Sequence, residues 1–280
     1  MRHYTAIRTY RSGAAAPKDG SMNDELVRGE VLYDNGRHKY VWLGWDEEED
    51  DGLVQTNQYL IIHDGVGCLL DPGGVHVFPR VVSNLARYID LKAIKHIFFS
   101  HQDPDVCSGL ALWTGVTTAQ VHVSKLWVRF LPHFGSVDPT RLTGIEDRGG
   151  KIPWGDGSSL RVVPTHFLHS VGNLSVFDPA SRILFTGDLG AAIVPAGKYK
   201  PFVDDFKSHV QYMEGFHTRY LAGNAAARLW ARMVRQIDPV MIAPQHGSIF
   251  RGQSVENFLS WMEELRCGLD LIEEIYGVRA

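Results

Sequence analysis

Apolar runs of strand length alternate with stretches of helical periodicity along most of the chain. Short apolar runs bounded by turn residues are typical of buried strands, whereas apolar residues three or four positions apart are typical of helices. The pattern predicts strands at 26–33, 38–45, 58–63, 67–71, 94–99, 119–124, 160–164, 173–177, 183–186 and 240–244. It predicts helices at 76–89, 106–115, 125–134, 203–215, 217–236 and 254–275.

The order of these elements predicts the architecture. Asp34-Asn35-Gly36 and Asp64-Gly65 each separate two apolar runs, which is the signature of a β-hairpin. Residues 135–158 are rich in Gly, Pro and charge and are predicted to be loops around a short strand. Strands followed by helices occur twice, which predicts an α/β fold with two sheets inside and helices outside. Since no repeat or low-complexity linker divides the chain, we predict one domain over residues 1–280.

Composition narrows the class of protein. A hydrophobic content of 44% supports a packed core, and a net charge of -4 argues against nucleic acid as the main partner. The three cysteines form no CxxC pair, which fits a reducing cytoplasm. We expect a cytoplasmic protein without membrane contact, because no signal peptide or membrane-spanning run is visible. Residues 1–22 are predicted to be a loose terminus or an edge strand, and the acidic run 46–51 a solvated loop.

The strand predicted at 94–99 leads directly into candidate chemistry. His101, Asp103 and Asp105 follow it at alternate positions, and extended backbone turns alternate side chains the same way. One imidazole and two carboxylates facing one point suit iron, manganese or zinc. Taken alone, the triplet fits a polar turn with Asp105 as a helix N-cap equally well.

Three further predicted strands end in residues that can bind metal. His169, Asp188 and His246 each follow an apolar strand closely. Ligands placed on loops at one edge of a rigid sheet core can converge. A single buried His or Asp is more often structural. Repetition of the pattern at four strand ends therefore favours a shared metal site.

The chain from about 59 to 250 resembles the metallo-β-lactamase superfamily. The first motif of that superfamily is usually His-x-His-x-Asp-His, and residues 101–106 here read His-Gln-Asp-Pro-Asp-Val. The carboxylate at the second ligand position resembles the flavodiiron branch, and the 18 residues between His169 and Asp188 match its spacing. Further motifs that fit this branch are Phe185-Thr186-Gly187-Asp188, Ala243-Pro244-Gln245-His246-Gly247 and Ile249-Phe250-Arg251.

This resemblance implies an αββα sandwich of two mixed sheets that holds two iron ions joined by an oxo or hydroxo bridge. It assigns the first iron to His101, Asp103 and His169, the second iron to Asp105 and His246, and the bridging position to Asp188. Three carboxylates would leave a charge of about +1 on two ferrous ions, which a bridging hydroxide would neutralise.

Four other residues near these motifs have expected roles. Valine at position 106 replaces the usual histidine and cannot coordinate, so the second iron would keep an open position for O2, nitric oxide or water. His166 is interpreted as a residue that orients a ligand or has a purely structural role, because the spacing to Asp188 favours His169 as the ligand. Tyr59 and Tyr220 could donate a hydrogen bond to a bound oxygen species, with core packing as the alternative.

The resemblance leaves three functions open. Flavodiiron reductases carry a flavodoxin domain with FMN, whereas the residues after His246 predict one helix without a phosphate-binding loop, so we expect no FMN on this chain. A stand-alone di-iron domain of this kind implies an oxygen or iron sensor that signals to a partner such as a chemotaxis receptor. The alternatives are an O2 or NO reductase fed by a separate redox protein, and a hydrolase of the glyoxalase II or lactonase type. Asp103 and Val106 count against the hydrolase. Flavodiiron relatives make a homodimer the default expectation, and whether the protein is an enzyme stays open.

Overall fold

A computed structural model describes residues 28–45, 54–195 and 197–278. The predicted loose terminus 1–22 and the acidic run 46–51 lie outside the described residues. The strands are β1 Glu30–Asp34, β2 His38–Trp42, β3 Tyr59–His63, β4 Val66–Leu70, β5 Ile94–Phe98, β6 Gln120–Ser124, β7 Leu142–Ile145, β8 Gly150–Pro153, β9 Ser159–Pro164, β10 Leu174–Asp178, β11 Ile183–Phe185, β12 Met241–Ala243 and β13 Phe250–Arg251. The helices are α1 Phe78–Leu85, α2 Pro104–Cys107, α3 Leu110–Val116, α4 Phe206–Tyr220, α5 Asn224–Ile237, α6 Gln253–Glu264 and α7 Ile272–Tyr276.

The strands form two mixed sheets. The first sheet has the order β1-β2-β3-β4-β5-β6-β7, in which β1 to β4 are antiparallel and β4 to β7 are parallel. The second has the order β13-β12-β11-β10-β9-β8, in which only β11 and β12 are parallel among these neighbours. Both predicted hairpins are confirmed, between β1 and β2 and between β3 and β4.

Apolar side chains fill the space between the two sheets. Tyr59 and Phe98 of the first sheet pack against Phe185 of the second, with Tyr59 and Phe185 ring centroids 5.6 Å apart. Helices α1 and α3 pack on the outer face of the first sheet, and α4, α5 and α6 pack on the outer face of the second. The predicted sandwich with helices outside is confirmed. The extent of the single domain over residues 1–280 stays a prediction.

Between residues 125 and 158 one prediction is wrong and another is incomplete. The helix expected at 125–134 is a series of turns that ends in a short 3-10 helix, Leu131–Phe134. Pro132 inside this stretch lacks a backbone donor, which works against a continuous α-helix. Residues 135–158, expected to be loops around one short strand, contain two strands, β7 and β8. Both are edge strands with few buried positions, so their apolar alternation is weak.

The helices of the second half begin and end at different residues from those predicted. The break expected at 216 lies at 221–223, and the helix expected at 254–275 stops at Glu264 and resumes as α7. Gly223 and Gly268 form an isolated antiparallel bridge, which joins the two interruptions. Within the described ranges, no helix is both long enough and apolar enough to cross a membrane.

Gly268→Ala should destabilise the fold strongly. Gly268 has a φ of +50°, and a Cβ atom built on it would overlap the carbonyl oxygens of Leu221 and Ala222. Left-handed backbone strain therefore adds to steric overlap, and we expect a loss of about 3 kcal/mol in the free energy of unfolding, measured by urea titration. Gly65→Ala is the matched control, because its φ is +78° and no atom lies within 4 Å of the built Cβ. Equal losses in both variants would contradict the steric argument.

Candidate metal centre

Three strands of the two sheets deliver candidate ligands to one edge of the sandwich. His101 follows the end of β5 in the first sheet, and Asp188 and His246 follow the ends of β11 and β12 in the second. His169 lies in the connection between β9 and β10. Asp103 begins α2 as its N-cap residue, with proline at the next position. The strand order therefore brings together residues far apart in sequence.

The first group of donors surrounds one oxygen of Asp188. Oδ2 of Asp188 lies 3.7 Å from Nε2 of His101 and 3.5 Å from Nε2 of His169. Oδ2 of Asp103 lies 3.1 Å from Nε2 of His169 and 3.7 Å from Nε2 of His101. Four side chains thus face a common point.

The second group surrounds the other oxygen of Asp188. Nε2 of His246 lies 3.4 Å from Oδ1 of Asp188 and 3.3 Å from Oδ2 of Asp105. Because the two oxygens of Asp188 face different groups, this carboxylate is placed to bridge two cations. The second group contains three donors where the first contains four.

The burial and spacing of the donor atoms suit metal coordination better than hydrogen bonding among the donors themselves. Nε2 of His101 and Oδ1 of Asp188 are buried and have no hydrogen-bond partner. Buried polar atoms without partners are costly, and each such case needs an explanation. Metal–ligand bonds of about 2.0–2.2 Å place neighbouring ligands roughly 3–3.6 Å apart, which is the spacing of these atoms. The six side chains could therefore hold two metal ions.

Electrostatics point the same way. Burial lowers the pKa of His101, but Asp188 and Asp103 outweigh it and raise the pKa to about 9. Burial opposes charge on Asp188, yet His101 and His246 hold its pKa well below its usual range. Burial likewise disfavours charge on His246, but Asp188 and Asp105 raise its pKa well above the ordinary value. The carboxylates thus attract positive charge into this site, which protons or metal ions can supply.

A buried relay supports His101. Nδ1 of His101 lies 2.9 Å from the Ser100 hydroxyl, which donates to the Asp71 carboxylate. The Ser100 amide donates to the other oxygen of Asp71 at 2.7 Å. Burial raises the pKa of Asp71 to about 7, although His101 and Ser100 act in the opposite direction. Such outer partners fix the orientation of a metal-binding imidazole.

Ser100→Ala should selectively weaken the binding of iron by the first group of donors. The variant removes the hydroxyl that holds the His101 ring, and we expect a ten- to hundredfold loss, roughly, in affinity for ferrous iron there. The affinity can be measured under argon by competition with a chromophoric chelator. Ser108→Ala is the matched control, since the Ser108 hydroxyl lines the same cleft but accepts from the Val75 amide. Unchanged affinity in Ser100→Ala would show that the relay does not orient the ligand.

Two glutamines hydrogen-bond to the carboxylates of Asp103 and Asp105 and so orient them. Nε2 of Gln102 donates to Asp103 at 2.8 Å, and its carbonyl accepts from the Ser170 hydroxyl at 2.7 Å. Nε2 of Gln245 donates to Asp105 at 3.1 Å. Each glutamine is adjacent in sequence to a candidate ligand. Its hydrogen bonds therefore connect one segment that carries candidate ligands to another.

His169 has a strained backbone conformation, and its ring contacts two aromatic side chains. Its φ is +28°, in the left-handed region that non-glycine residues rarely occupy. Phe216 and Tyr220 of α4 stack on each other, with ring centroids 4.8 Å apart, and face the His169 ring at 5.5 Å and 5.7 Å. Strained ligands at a site are typical of functional positions whose surroundings over-determine them.

All of the candidate ligands except His101 line a cleft of about 930 Å³. Val54, Val75 and Ile193 line it with apolar side chains, and Tyr220, 57% exposed, stands at its rim. Mainly apolar clefts with a few convergent polar groups are typical of binding sites.

The other three residues with predicted roles do not line the cleft. Val106 is fully buried in the apolar core against the first sheet and does not line the cleft, so it supplies the second group with no donor. The Tyr59 hydroxyl is buried and donates to the Pro244 carbonyl at 2.9 Å, which is the core-packing alternative. The ring nitrogens of His166 lie 3.1 Å and 2.6 Å from the carbonyls of Val171 and Asp147, so His166 braces two loops.

A second His/Asp group lies away from the cleft. His63, Asp64 and Asp156 place one donor atom each within 4.8 Å of one another. Arg37 forms ion pairs with Asp64 at 2.6 Å and with Asp156 at 2.7 Å, which neutralises much of the carboxylate charge. This group is therefore an ion-pair network, and it offers a control for experiments on the cleft.

Sequence reasoning missed several residues that support the site. Asp71 ends a predicted strand, as the candidate ligands do, so the same signal could have found it. Gln102 and Gln245 adjoin ligands, which is a weaker signal. Phe216 carries no signal in the sequence, because its contact with His169 depends on how α4 packs.

The fold and the site together define a metallo-β-lactamase-type protein with a candidate two-metal centre. The family model described as "ODP family beta lactamase" matches residues 54–247, and the chain belongs to this family. One similar solved structure is the peroxy diiron species of the chemotaxis sensor ODP, with 48% identity and a TM-score of 0.80. That alignment covers 88% of this chain and 99% of the other.

More distant relatives are flavodiiron proteins. Rubredoxin oxygen:oxidoreductase from Desulfovibrio gigas is 17% identical with a TM-score of 0.68, over 84% of this chain and 62% of that one, which shows the fold alone. Diflavin flavoprotein A 1 from Synechocystis is 30% identical over 155 residues, which are 52% of this chain and 26% of that protein. The chain spans between 26% and 52% of the length of the curated relatives it matches.

Proposed function

We propose that this protein holds two iron ions in the cleft, binds O2 there, and acts as a sensor that signals to a partner. The observation that carries the proposal is the placement of Asp188, whose two oxygens face two separate groups of donors. The similar chemotaxis sensor described above, solved as a peroxy diiron species, supports the choice of iron and of sensing.

The donor set favours iron over zinc. Three carboxylates and three imidazoles form a mixed hard and borderline set, whereas sites built for zinc hydrolysis rely more heavily on histidine. The proposed ligands are His101, Asp103 and His169 for the first ion, Asp105 and His246 for the second, and Asp188 for both. The second ion would have the smaller number of protein ligands and is therefore the proposed place for O2.

The residues around the donors would control access and orientation. Two ferrous ions held by these residues would supply the electrons for the reduction of bound O2. Gln102 and Gln245 hold the carboxylates in place, so the donor geometry is organised in advance. Phe216 and Tyr220 stack on each other beside the His169 ring, and both line the cleft, so the Tyr220 hydroxyl could donate a hydrogen bond to a bound molecule.

Stopped-flow absorbance after mixing anaerobically iron-loaded protein with O2 tests the proposal, together with metal analysis. We expect two irons per chain and a visible band that decays slowly, because a sensor must hold its oxidised state long enough to signal. Rapid, repeated O2 or NO consumption with an added flavoprotein would instead make the protein a reductase. Tightly held zinc and a colourless reaction would overturn the proposal in favour of hydrolysis.

A further inference from the structure

His217 is a fully buried histidine of α4 that does not line the cleft. Its Nδ1 lies 2.9 Å from the Met213 carbonyl oxygen, and its Nε2 accepts from the Gly190 amide at 3.0 Å. A carbonyl oxygen only accepts and a backbone amide only donates, so Nδ1 carries the proton and Nε2 carries none. Burial lowers the pKa of His217 to about 4, in agreement with a neutral ring. Both nitrogens are therefore engaged, and His217 is not a candidate ligand.

The Gly190 amide belongs to the turn that presents the bridging carboxylate of Asp188. The Ala191 amide closes this turn by donating to the Asp188 carbonyl at 2.9 Å. Gly190 is buried with a φ of +98°, and a Cβ atom built on it would lie 2.7 Å from the Phe250 ring. A buried amide without an acceptor is costly, so the turn keeps this conformation only while an acceptor faces Gly190. The His217 imidazole supplies that acceptor.

Helix packing fixes the position of the His217 ring. The ring lies against two aromatic side chains of α6, with centroids 5.2 Å from Trp261 and 6.2 Å from Phe258. A second hydrogen bond joins the same stretch of chain to α4, from the Ile193 amide to the Tyr212 carbonyl at 3.0 Å. The turn after Asp188 is thus attached to a helix whose own position is set by the core.

We propose that His217 is the positioning residue for Asp188, and that its bond to the Gly190 amide sets the turn from which the two carboxylate oxygens reach the two groups of donors. The inference rests on the proposed function, because it requires Asp188 to bridge two ions. Since Asp188 serves both groups, a shift of its turn weakens both positions together. Ser100 differs in this respect, because its hydroxyl supports His101 in the first group alone.

Replacement of the imidazole tests the proposal. His217→Leu keeps a buried side chain of similar size but removes the acceptor, and we expect the affinity for ferrous iron to fall about ten- to hundredfold at both positions. Chelator competition under argon measures both affinities, and circular dichroism shows whether the variant is folded. His217→Gln should recover most of the loss, because its amide oxygen can take the place of Nε2 and accept from Gly190.

His209→Leu is the matched control. It removes another buried imidazole of α4, and Nε2 of His209 has no hydrogen-bond partner among the residues that the structure describes. The control therefore loses a similar packing contact without releasing the turn after Asp188. We expect it to bind two ferrous ions like the unaltered protein.

Two measurements on iron-free protein separate positioning from general stability. The 15N NMR shifts of the His217 ring should show a protonated Nδ1 and an unprotonated Nε2 in the unaltered protein. The Gly190 amide should exchange at least about tenfold faster in His217→Leu than in His217→Gln or the unaltered protein. The ring measurement needs no substitution, so it decides even if His217→Leu does not fold.

Four results would overturn the inference. They are a protonated Nε2 on His217, unchanged iron affinities in His217→Leu, a loss confined to one position, and a loss in His217→Gln or His209→Leu as large as that in His217→Leu. Unchanged affinities in His217→Leu together with a slow O2 band would contradict this inference alone. Two bound irons without that band in the unaltered protein would contradict the proposed function and leave the role of His217 to be decided by the affinities.

Discussion

Asp188→Ala is expected to abolish the binding of both iron ions in a single substitution. Oδ2 of Asp188 completes the group with His101 and His169, and Oδ1 completes the group with Asp105 and His246. Without this carboxylate the second group keeps two donors and the first keeps three, and the negative charge that attracts the cations is reduced. We expect the affinity of each group for ferrous iron to fall by more than about a hundredfold, because the loss of a residue that only orients a ligand can already cost that much.

Iron analysis by mass spectrometry after anaerobic loading measures this effect, with circular dichroism to show that the variant is folded. Asp156→Ala is the matched control, because Asp156 belongs to the second His/Asp group, where Arg37 already neutralises it. That variant should keep both ions. Retention of two ions by Asp188→Ala would contradict the bridging role, and retention of one would confine Asp188 to a single position.

His169→Ala and His166→Ala are expected to differ sharply although the two histidines are three residues apart. His169 lies 3.1 Å from Asp103 and 3.5 Å from Asp188, so its loss removes one of four donors at the first position. We expect an affinity loss there of more than about a hundredfold and loss of the slow O2 absorbance band. His166 contacts two backbone carbonyls, so His166→Ala should bind iron normally and lose only about 1 kcal/mol of stability.

Chelator competition and stopped-flow absorbance on both variants make the comparison. The pair is informative because both substitutions remove an imidazole from the same loop, so a general disturbance of the loop would affect both. Equal iron affinities in the two variants would remove His169 from the proposed ligand set. A larger loss in His166→Ala would exchange the roles of the two histidines.

The sequence by itself determined the class of the fold and the candidate ligands. Strand length, hairpin turns and helical periodicity are local properties, so β3, β4 and β5 could be predicted within a few residues. The positions of His101, Asp188 and His246 directly after apolar strands are local as well. Only one short strand was expected where the edge strands β7 and β8 lie, because their burial is slight and their neighbours in the sheet define them.

The division of the candidate ligands into two groups was implied by the family resemblance, but the distances that define the two groups come only from the tertiary structure. That division depends on the approach of β5 in one sheet to β11 and β12 in the other, which no local pattern encodes. The same holds for the hydrogen bond from the Ser100 amide to Asp71, for the burial of Val106 in the core and for the hydrogen bond from the Leu269 amide to the Ala222 carbonyl. These features depend on residues that are far apart in sequence and become neighbours only through strand pairing and helix packing. A local sequence pattern therefore cannot predict them.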